Sequence, residues 1–417
     1  MIEHHNKSSG DAVLTGVEET HAQCAPLKGI KVIEFTHMVM GPTAGLILGD
    51  LGADVIKVEP LNGDNTRRLQ GSGAGYFPMY NRNKRSIALD LKHPEGRKVA
   101  LDLIHSADIV LENFRPGTMA NLGLDYDTLK TSHPELIYCS LKGFLSGPYE
   151  HRVALDEVTQ MMGGLAYMTG LPDQPMRAGS SVIDITGGMF GVIAILSALH
   201  QRQASGRGVH VTSALFETTA FLVGQHMAQQ AVSGEAPPPM SVRQSAWAIY
   251  DIFDLDSGER VFVGIVSDTL WQRFCAEFAL TDWANDNDLA TNAGRVTARD
   301  SLLADIRTLF APMSLADLSD RLDRAGLPFS PINRPGDLFE DPHLSASDGL
   351  VPVHLTEGIH AGTATQLPRL PIEFGQTKSP LHHDIPATGE HNGEVLQELG
   401  LNVEQIAALI ERGILNT

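Results

Sequence analysis

Cysteine is scarce in this sequence, and so are the features that mark secreted or membrane-spanning chains. The three cysteines, Cys24, Cys139 and Cys275, are far apart and show no CxxC or Cys/His spacing, which argues against a disulfide framework and a metal site. The apolar runs are shorter than the ~20 residues that a membrane helix needs, and the N-terminus lacks the apolar core of a signal peptide. We therefore expect a cytoplasmic protein with no membrane span.

Basic residues are also in deficit. The chain has 31 Lys and Arg against 50 Asp and Glu, a formal net charge of −19. So acidic a chain repels phosphate backbones, which excludes nucleic acid as an expected partner but leaves room for a local basic site that binds an anionic ligand. The 417 residues, 42% of them hydrophobic, suffice for two or three domains with substantial cores.

Short β-rich runs alternate with helical stretches through the first half of the chain, which predicts parallel βαβ units and the α/β fold class. The expected strands are Ile30–Phe35, Asp54–Glu59, Ser86–Leu91, Asp108–Leu111 and Leu136–Leu141; the expected helices include one from Pro42 to about Leu51 and one over Pro94–His105. Ligands bind such sheets at the carboxyl ends of the strands, so the loops that follow the strands become the candidate binding loops.

The loop after the first strand argues against a dinucleotide site. It reads THMVMGP over residues 36–42, without the G-x-G-x-x-G that lets a backbone approach a pyrophosphate. Glu59 ends the second strand, where an acid would bind a ribose, but without the glycines this signal for an NAD enzyme is weak.

The stretch RAGSSVIDITGGMFG, residues 177–191, places Asp184 between an apolar pair and the glycines Gly187 and Gly188. It indicates a short strand or turn, then Asp184, then a buried helix. Two interpretations stay open: Asp184 caps the helix, or it is a reactive carboxylate that the glycines allow a backbone or a ligand to approach.

Taken together, several short motifs give the chain a resemblance to the class III coenzyme A transferases, from Leu27 to Leu415. They are LGADVIKVEP (51–60), NKRS (83–86), ENFRPG (112–117), GPY (147–149), GRG (206–208), DPHL (341–344) and GEH (389–391). The resemblance implies a large Rossmann-like parallel-sheet domain, a smaller α/β domain and an interlocked homodimer. We expect a flexible tail at 1–24, the large domain at 25–225, the small domain at 226–334, and a segment at 335–417 that returns to the large domain.

The resemblance also implies roles for individual residues. Asp184 would be the nucleophile that forms a mixed anhydride with the acyl group of a CoA thioester. Asp156, which lies 28 residues earlier, would position the reacting groups or merely cap its own helix, and His37 would line the acyl and pantetheine site. The expected CoA-binding residues are Arg67, Arg68, Asn83, Lys84, Arg85, Asn113, Phe114 and Arg115. Coenzyme A would be a substrate, with no permanently bound cofactor and no metal.

Two departures from the family pattern limit the reactions that we expect this chain to catalyse. Val39 stands where formyl-CoA transferase has a glutamine, which counts against formyl and oxalyl chemistry. Leu155 stands where a racemase would need a proton-transferring histidine. An acyl-CoA racemase, an intramolecular CoA transfer and a non-catalytic CoA-binding protein remain the alternatives. Lys142 and Arg177 are candidates for the acyl carboxylate or the CoA tail, and the expected substrates are succinyl-CoA and a short dicarboxylic acid.

Overall fold

The computed structural model describes residues 25–242, 245–375 and 377–417, so the predicted tail at 1–24 and Cys24 lie outside the described residues. These residues form two compact units. The large unit contains the chain up to Ser241 together with Ala346–Thr417, and the small unit is Val242–Ser345. The small unit both begins and ends later along the chain than the predicted 226–334: the helix over Gly224–Ser233 and the prolines after it belong with the large unit, and residues 335–345 belong with the small unit.

A six-stranded parallel sheet forms the centre of the large unit. Its strands are β1 (Lys31–Phe35), β2 (Asp54–Glu59), β3 (Lys84–Ala88), β4 (Ile109–Glu112), β5 (Ile137–Lys142) and β6 (His210–Ala214). Their spatial order is β3-β2-β1-β4-β5-β6, the Rossmann order in which the winding direction reverses between β1 and β4. In such sheets a crevice opens beyond the carboxyl ends of the two strands at the reversal.

Helices cover both faces of this sheet. In chain order they are α1 (Met40–Asp50), α2 (Tyr76–Tyr80), α3 (Pro94–His105), α4 (Thr118–Leu122), α5 (Tyr126–Leu129), α6 (Asp156–Met162), α7 (Leu165–Thr169), α8 (Val182–Ser205), α9 (Leu215–Leu222) and α10 (Gly224–Ser233). One core packs α1 and α8 on the sheet. The other combines α3 with C-terminal residues such as Val395, Leu409 and Leu415, so the end of the chain completes the large unit.

The glycines near Asp184 allow α8 to pack closely against α1 and the sheet. A Cβ at Gly188 would lie 2.6 Å from the carbonyl oxygen of Met40, and one at Gly191 would lie 2.7 Å from Leu141 Cδ2. A Cβ at Gly187 would meet the Met40 side chain at 2.7 Å. Of the two approaches that the sequence left open, protein atoms lie against the glycine pair: the Met40 backbone at Gly188 and the Met40 side chain at Gly187.

Several boundaries differ from the prediction, and two of these differences concern predicted site residues. Strand β3 begins at Lys84 instead of Ser86, because the side chains of Lys84 and Arg85 form ion pairs that allow both residues to be buried. Helix α8 begins at Val182 with Ser181 as its N-cap residue, so Asp184 lies inside the first helical turn and is not the cap. The expected strand or turn directly before Asp184 is therefore helix.

The remaining strands and helices belong to the small unit and to the C-terminal segment. The small unit holds β7 (Ile249–Asp254), β8 (Arg260–Ile265) and β9 (Phe329–Pro331) in one antiparallel sheet, with helices α11 (Asp268–Glu277), α12 (Thr281–Asn285), α13 (Asn292–Thr297), α14 (Arg299–Phe310) and α15 (Leu315–Arg324). Helix α16 (Pro342–Ala346) contains the end of the small unit. After it come β10 (Leu350–His354), β11 (Ala364–Pro368), β12 (Glu373–Phe374), β13 (Thr377–Lys378), α17 (Asn392–Glu398) and α18 (Val403–Glu411). Strands β7 and β8 pair as an antiparallel hairpin.

Helix α8 also bears on the predicted absence of a membrane span. By length and composition alone, it is the one helix in the described part of the chain that is long and apolar enough to cross a membrane. Its first turn contains Asp184, and the helix packs on α1 and on β5 and β6. Core helices of this kind satisfy the same length and composition test.

Candidate active site

The loops after β1 and β4 meet at the reversal point of the sheet. The backbone N–H of His37 donates to Asn113 Oδ1 at 3.0 Å, and Asn113 Nδ2 donates back to the His37 carbonyl at 2.8 Å. The His37 ring lies 5.7 Å from that of Phe114. Met38 has φ 64°, a left-handed conformation that costs energy in a residue other than glycine and is concentrated at functional sites. Burial lowers the pKa of His37, against the raising effect of Asp64, which favours a neutral imidazole.

A cavity of about 260 Å³ opens at this point. It brings together His37, Asn113, Asp156 and Asp184, together with Lys142 and Arg177, the two candidates for the acyl carboxylate or the CoA tail. The rest of its lining is formed by Met38, Met40, Tyr76, Leu141, Lys142, Gly143, Ala154, Leu155, Glu157, Arg177, Ser181 and Leu215. Polar groups therefore converge on an otherwise apolar wall, which is the usual composition of a small-molecule site.

Asp156 is bound to the N-terminus of helix α8. It is the first residue of α6, whose N-cap is Leu155, so the idea that Asp156 caps its own helix is wrong. Its Oδ2 accepts the backbone N–H groups of Ile183 at 2.8 Å and Asp184 at 3.0 Å. Gln160 Nε2 donates to its Oδ1 at 2.6 Å. Asp156 thus serves as the cap of α8 and fixes the backbone that carries Asp184.

The carboxyl group of Asp184 is held in an environment that disfavours its charge. Burial, and next the negative charge of Asp156, raise the pKa of Asp184 to about 7, while Arg177 acts in the opposite direction. The phenol of Tyr80 is close enough to be affected: burial, together with the charge of Asp184, raises the pKa of Tyr80 to about 12. A carboxyl with a pKa near neutrality is a stronger nucleophile than an ordinary aspartate, and such shifts cluster at functional sites.

Two of the predicted CoA-binding residues are buried inside the protein. Arg67 donates two hydrogen bonds to Glu59, at 2.8 and 2.7 Å, and stacks 3.7 Å from the ring centroid of Phe77. Lys84 lies against Glu34 at 2.9 Å. Both side chains are completely shielded from solvent, so the structure gives them the role of balancing buried carboxylates in place of binding a ligand. Glu59, considered above as a ribose acid, is the partner of Arg67.

Asn83 and Arg85 lie at the opposite end of the sheet. Arg85 is the second residue of β3 and donates to Asp54 at 2.6 Å and to Glu394 and Glu398 at 2.7 Å each. The Asn83 side chain donates to Asp50 at 2.8 Å. Both residues lie at the amino end of β3, at the opposite end of the strand from the reversal crevice, and their side chains are engaged with these carboxylates.

The remaining predicted residues stay at the carboxyl edge. Arg68 and Arg115 are exposed, and Phe114 is half-buried. A second cavity of about 180 Å³ is lined by Phe114, Val58, Pro60 and Leu69, and it shares His37 and Met38 with the first. The two cavities form adjoining parts of one crevice.

Sequence reasoning missed two hydroxyl groups in the cavity. The Tyr76 and Ser181 hydroxyls lie 3.4 Å apart and both line it. Ser181 makes no side-chain capping hydrogen bond, since Asp156 takes that place. A serine before an apolar helical run is a cap signal that would have located Ser181, whereas nothing in the sequence around Tyr76 indicates a site. No group of three or more potential metal ligands occurs among the residues described here.

Comparison with known proteins identifies the family. The family model described as CoA-transferase family III matches residues 27–392. An acyl-CoA transferase of Fusarium pseudograminearum is 35% identical over 93% of this chain and 88% of its own length. A succinate–glutarate CoA-transferase of Agrobacterium fabrum is also 35% identical, over 90% of this chain and 96% of its own.

A solved structure agrees with these relatives. The CAIB/BAIF family protein from Brucella suis superposes with a TM-score of 0.80 at 35% identity, covering 90% of this chain and all of that one. The resemblance seen in the sequence motifs is thereby confirmed, and the chain belongs to CoA-transferase family III, the class III CoA-transferases.

Proposed function

We propose that this transferase moves CoA between carboxylic acids through a mixed anhydride on Asp184. The observation that carries the proposal is the position of this carboxyl: in the cavity at the reversal point of the sheet, with its backbone fixed by Asp156 and with a pKa of about 7. An ordinary cap or surface aspartate needs neither the cavity nor the burial.

The proposed reaction has three steps. An Asp184 carboxylate oxygen attacks the thioester carbonyl, the C–S bond breaks, and CoA leaves as the thiolate. The acceptor carboxylate attacks the aspartyl carbonyl carbon and displaces the donor acid as its carboxylate. Asp184 and the acceptor are then joined in a new mixed anhydride. The thiolate attacks the acceptor's carbonyl carbon, a C–S bond forms, and the Asp184 carboxylate is released. Water must be kept from the anhydride throughout, and the apolar wall of Met40, Leu141 and Leu215 serves that purpose.

The N–H groups of Ile183 and Asp184 are occupied by Asp156, so they do not serve an oxyanion. We assign that task to the hydroxyls of Tyr76 and Ser181, which line the same cavity and can donate to a developing negative charge. Asp156 is a positioning residue in this scheme, because it acts on the backbone and on the pKa of Asp184.

CoA would enter along the adjoining cavity. We place its pantetheine and adenine against Phe114 and near Asn113, with the phosphates within reach of Arg68 and Arg115. Exposed guanidinium groups at the rim of a crevice suit phosphate, since Arg offers forked, charge-assisted donors. This set keeps Arg68, Asn113, Phe114 and Arg115 and leaves out the four residues that the structure uses elsewhere.

A short dicarboxylic acid is the proposed acceptor, and succinyl-CoA the proposed donor. The Agrobacterium relative is named for succinate and glutarate, both dicarboxylates, and the cavity of about 260 Å³ is small. A transfer of CoA within one dicarboxylate uses the same chemistry and is distinguished only by its products. A cytoplasmic location also stays a prediction.

The homodimer is likewise part of the proposal. Met189, Ile193 and Leu196 follow one another along α8 and are 47%, 55% and 38% exposed. A stripe of this kind is an uncovered apolar face, and we propose that a second copy of this chain covers it, in line with the interlocked dimer implied by the resemblance. Light scattering at micromolar concentration should give twice the mass of 45.0 kDa; a monomer would contradict it.

The proposed reaction is tested by supplying succinyl-CoA with unlabelled carboxylic acids and weighing the CoA products by mass spectrometry. We expect a new acyl-CoA for short dicarboxylic acids, no net release of free CoA, and loss of product for Asp184→Asn. Transfer that persists in Asp184→Asn, or hydrolysis without transfer, would overturn the proposal.

A further inference from the structure

Two basic side chains, those of Lys142 and Arg177, line the cavity that holds Asp184. They differ in how many of their hydrogen-bond donors already have partners within the protein. Lys142 is fully engaged: its Nζ lies 2.6 Å from Glu112 Oε1 and donates to the Phe114 carbonyl at 2.8 Å. An ammonium held in this way links β5 to the loop after β4. It stabilises the wall of the cavity and has little capacity left for a ligand.

Arg177 is engaged much more loosely. Its Nη2 is 3.9 Å from Asp156 Oδ1 and its Nη1 is 3.6 Å from Glu157 Oε2, both longer than a hydrogen bond. Only Nε donates at ordinary distance, to the Ala178 carbonyl at 3.2 Å. The side chain is 36% exposed, so the outer fork of the guanidinium faces the cavity and solvent.

We propose that Arg177 binds the free carboxylate of a dicarboxylic acyl group, and that it makes the enzyme selective for dicarboxylic over monocarboxylic substrates. This inference rests on the proposed function. A guanidinium presents two parallel N–H donors that match the two oxygens of a carboxylate. An acyl chain bound at Asp184 with its far end on Arg177 would lie across the cavity, beside Asp156.

The arrangement of charges supports a carboxylate as the ligand. Asp156 lies between the two groups: its Oδ2 accepts from the Asp184 backbone, and its Oδ1 is the oxygen nearest Arg177. Arg177 is also close enough to oppose the rise in the Asp184 pKa. Asp156 and Glu157 lie 3.9 and 3.6 Å from Arg177, and their two negative charges disfavour a phosphate dianion there more than a singly charged carboxylate.

The test compares matched acyl-CoA donors that differ only in the far carboxylate: succinyl-CoA against butyryl-CoA, and glutaryl-CoA against valeryl-CoA. For Arg177→Gln we expect kcat/KM to fall roughly 10- to 100-fold for the dicarboxylic donors, the loss typical of a charge-assisted hydrogen bond. The values for the monocarboxylic donors should stay within about twofold of the wild type, and Arg177→Lys should restore part of the difference.

Two further variants sharpen the comparison. Glu157→Gln removes the competing carboxylate 3.6 Å from Arg177, so KM for dicarboxylic donors should fall while that for monocarboxylic donors stays unchanged. Arg207→Gln removes one exposed positive charge from the turn after α8. It should leave KM unchanged for both classes of donor and so controls for the change in net charge.

The possible outcomes separate this inference from the proposed function. If Arg177→Gln lowers kcat/KM equally for all four acyl-CoA donors, the residue supports the site or binds CoA itself. The inference is then wrong, while the proposed CoA transfer stands. If the wild type prefers monocarboxylic donors, the inference is also wrong. If no donor supports transfer to any acid, the proposed function itself has failed.

Discussion

Replacing Asp184 by asparagine removes one titrating carboxyl and keeps its shape, so the change isolates the energetic consequence of the raised pKa. In the unfolded chain this aspartate has its ordinary pKa of 3.8, and in the folded protein burial, together with the charge of Asp156, raises it to about 7. Between these values the folded state holds a proton that the unfolded state has lost. Stability from this group is therefore complete below the unfolded pKa and is lost as the pH rises through the folded pKa.

The size of the effect follows from the same two values. Each pKa unit corresponds to about 1.4 kcal/mol, so a rise from 3.8 to about 7 sets an upper bound of about 4 kcal/mol. Asp184 is only partly buried, and solvent screening reduces the effect, so we expect about 2 kcal/mol. Asp184→Asn should be more stable than the wild type by this amount at pH 8 and indistinguishable from it near pH 4.

Urea unfolding followed by circular dichroism at pH 4, 6 and 8 measures the difference, with Tm by scanning fluorimetry as a second readout. Asp173→Asn, on the exposed surface of the same unit, controls for the loss of one negative charge. An Asp184→Asn protein that is no more stable than the wild type at pH 8, or a difference that does not change with pH, would refute the reasoning about the buried carboxyl.

Three further outcomes follow from the contacts described above. Asp156→Asn removes the charge that raises the pKa of Asp184, so the acidic limb of the kcat/KM–pH profile should move to lower pH; an unmoved limb would contradict the coupling. Arg85→Ala removes ion pairs and should lower the free energy of unfolding by about 1–3 kcal/mol, with an unchanged KM for acyl-CoA. Arg115→Ala should instead raise the KM for acyl-CoA several-fold without loss of stability. The reverse pattern would indicate that Arg85 is the phosphate ligand. Gly188→Ala places a methyl 2.6 Å from the Met40 carbonyl and should cost about 1–3 kcal/mol of stability, measured by urea unfolding; a neutral change would show that α1 and α8 are not in tight contact.

Much of the large unit could be predicted because its signals are local. The apolar runs of β1, β2 and β5 and the proline that opens α3 identify elements within a few residues. The rule that ligands meet the carboxyl ends of parallel strands then selects the loops that line the cavity, since His37 and Asn113 closely follow β1 and β4.

The failures concern side chains whose partners are distant along the chain. A basic residue in a motif has the same appearance whether it binds phosphate or a buried carboxylate. Lys84 contacts Glu34, and Arg85 contacts Glu398, over separations of 50 and 313 residues, which no local pattern reveals. Whether a backbone or a ligand approaches Gly188 stayed open for a related reason, because the distance between α1 and α8 is a tertiary property. The choice between a cap and a reactive carboxylate at Asp184 stayed open because the side chain that accepts the first N–H groups of α8, Asp156, comes from another helix.

The central claim is that Asp184 becomes acylated during the reaction. The most direct measurement is to incubate the enzyme with succinyl-CoA in the absence of an acceptor acid, add hydroxylamine or borohydride, and map the modification by peptide mass spectrometry. The account predicts modification of the peptide containing Asp184 in the wild type and none in Asp184→Asn. Modification at Asp156 instead, or an unmodified enzyme that still transfers CoA, would contradict it.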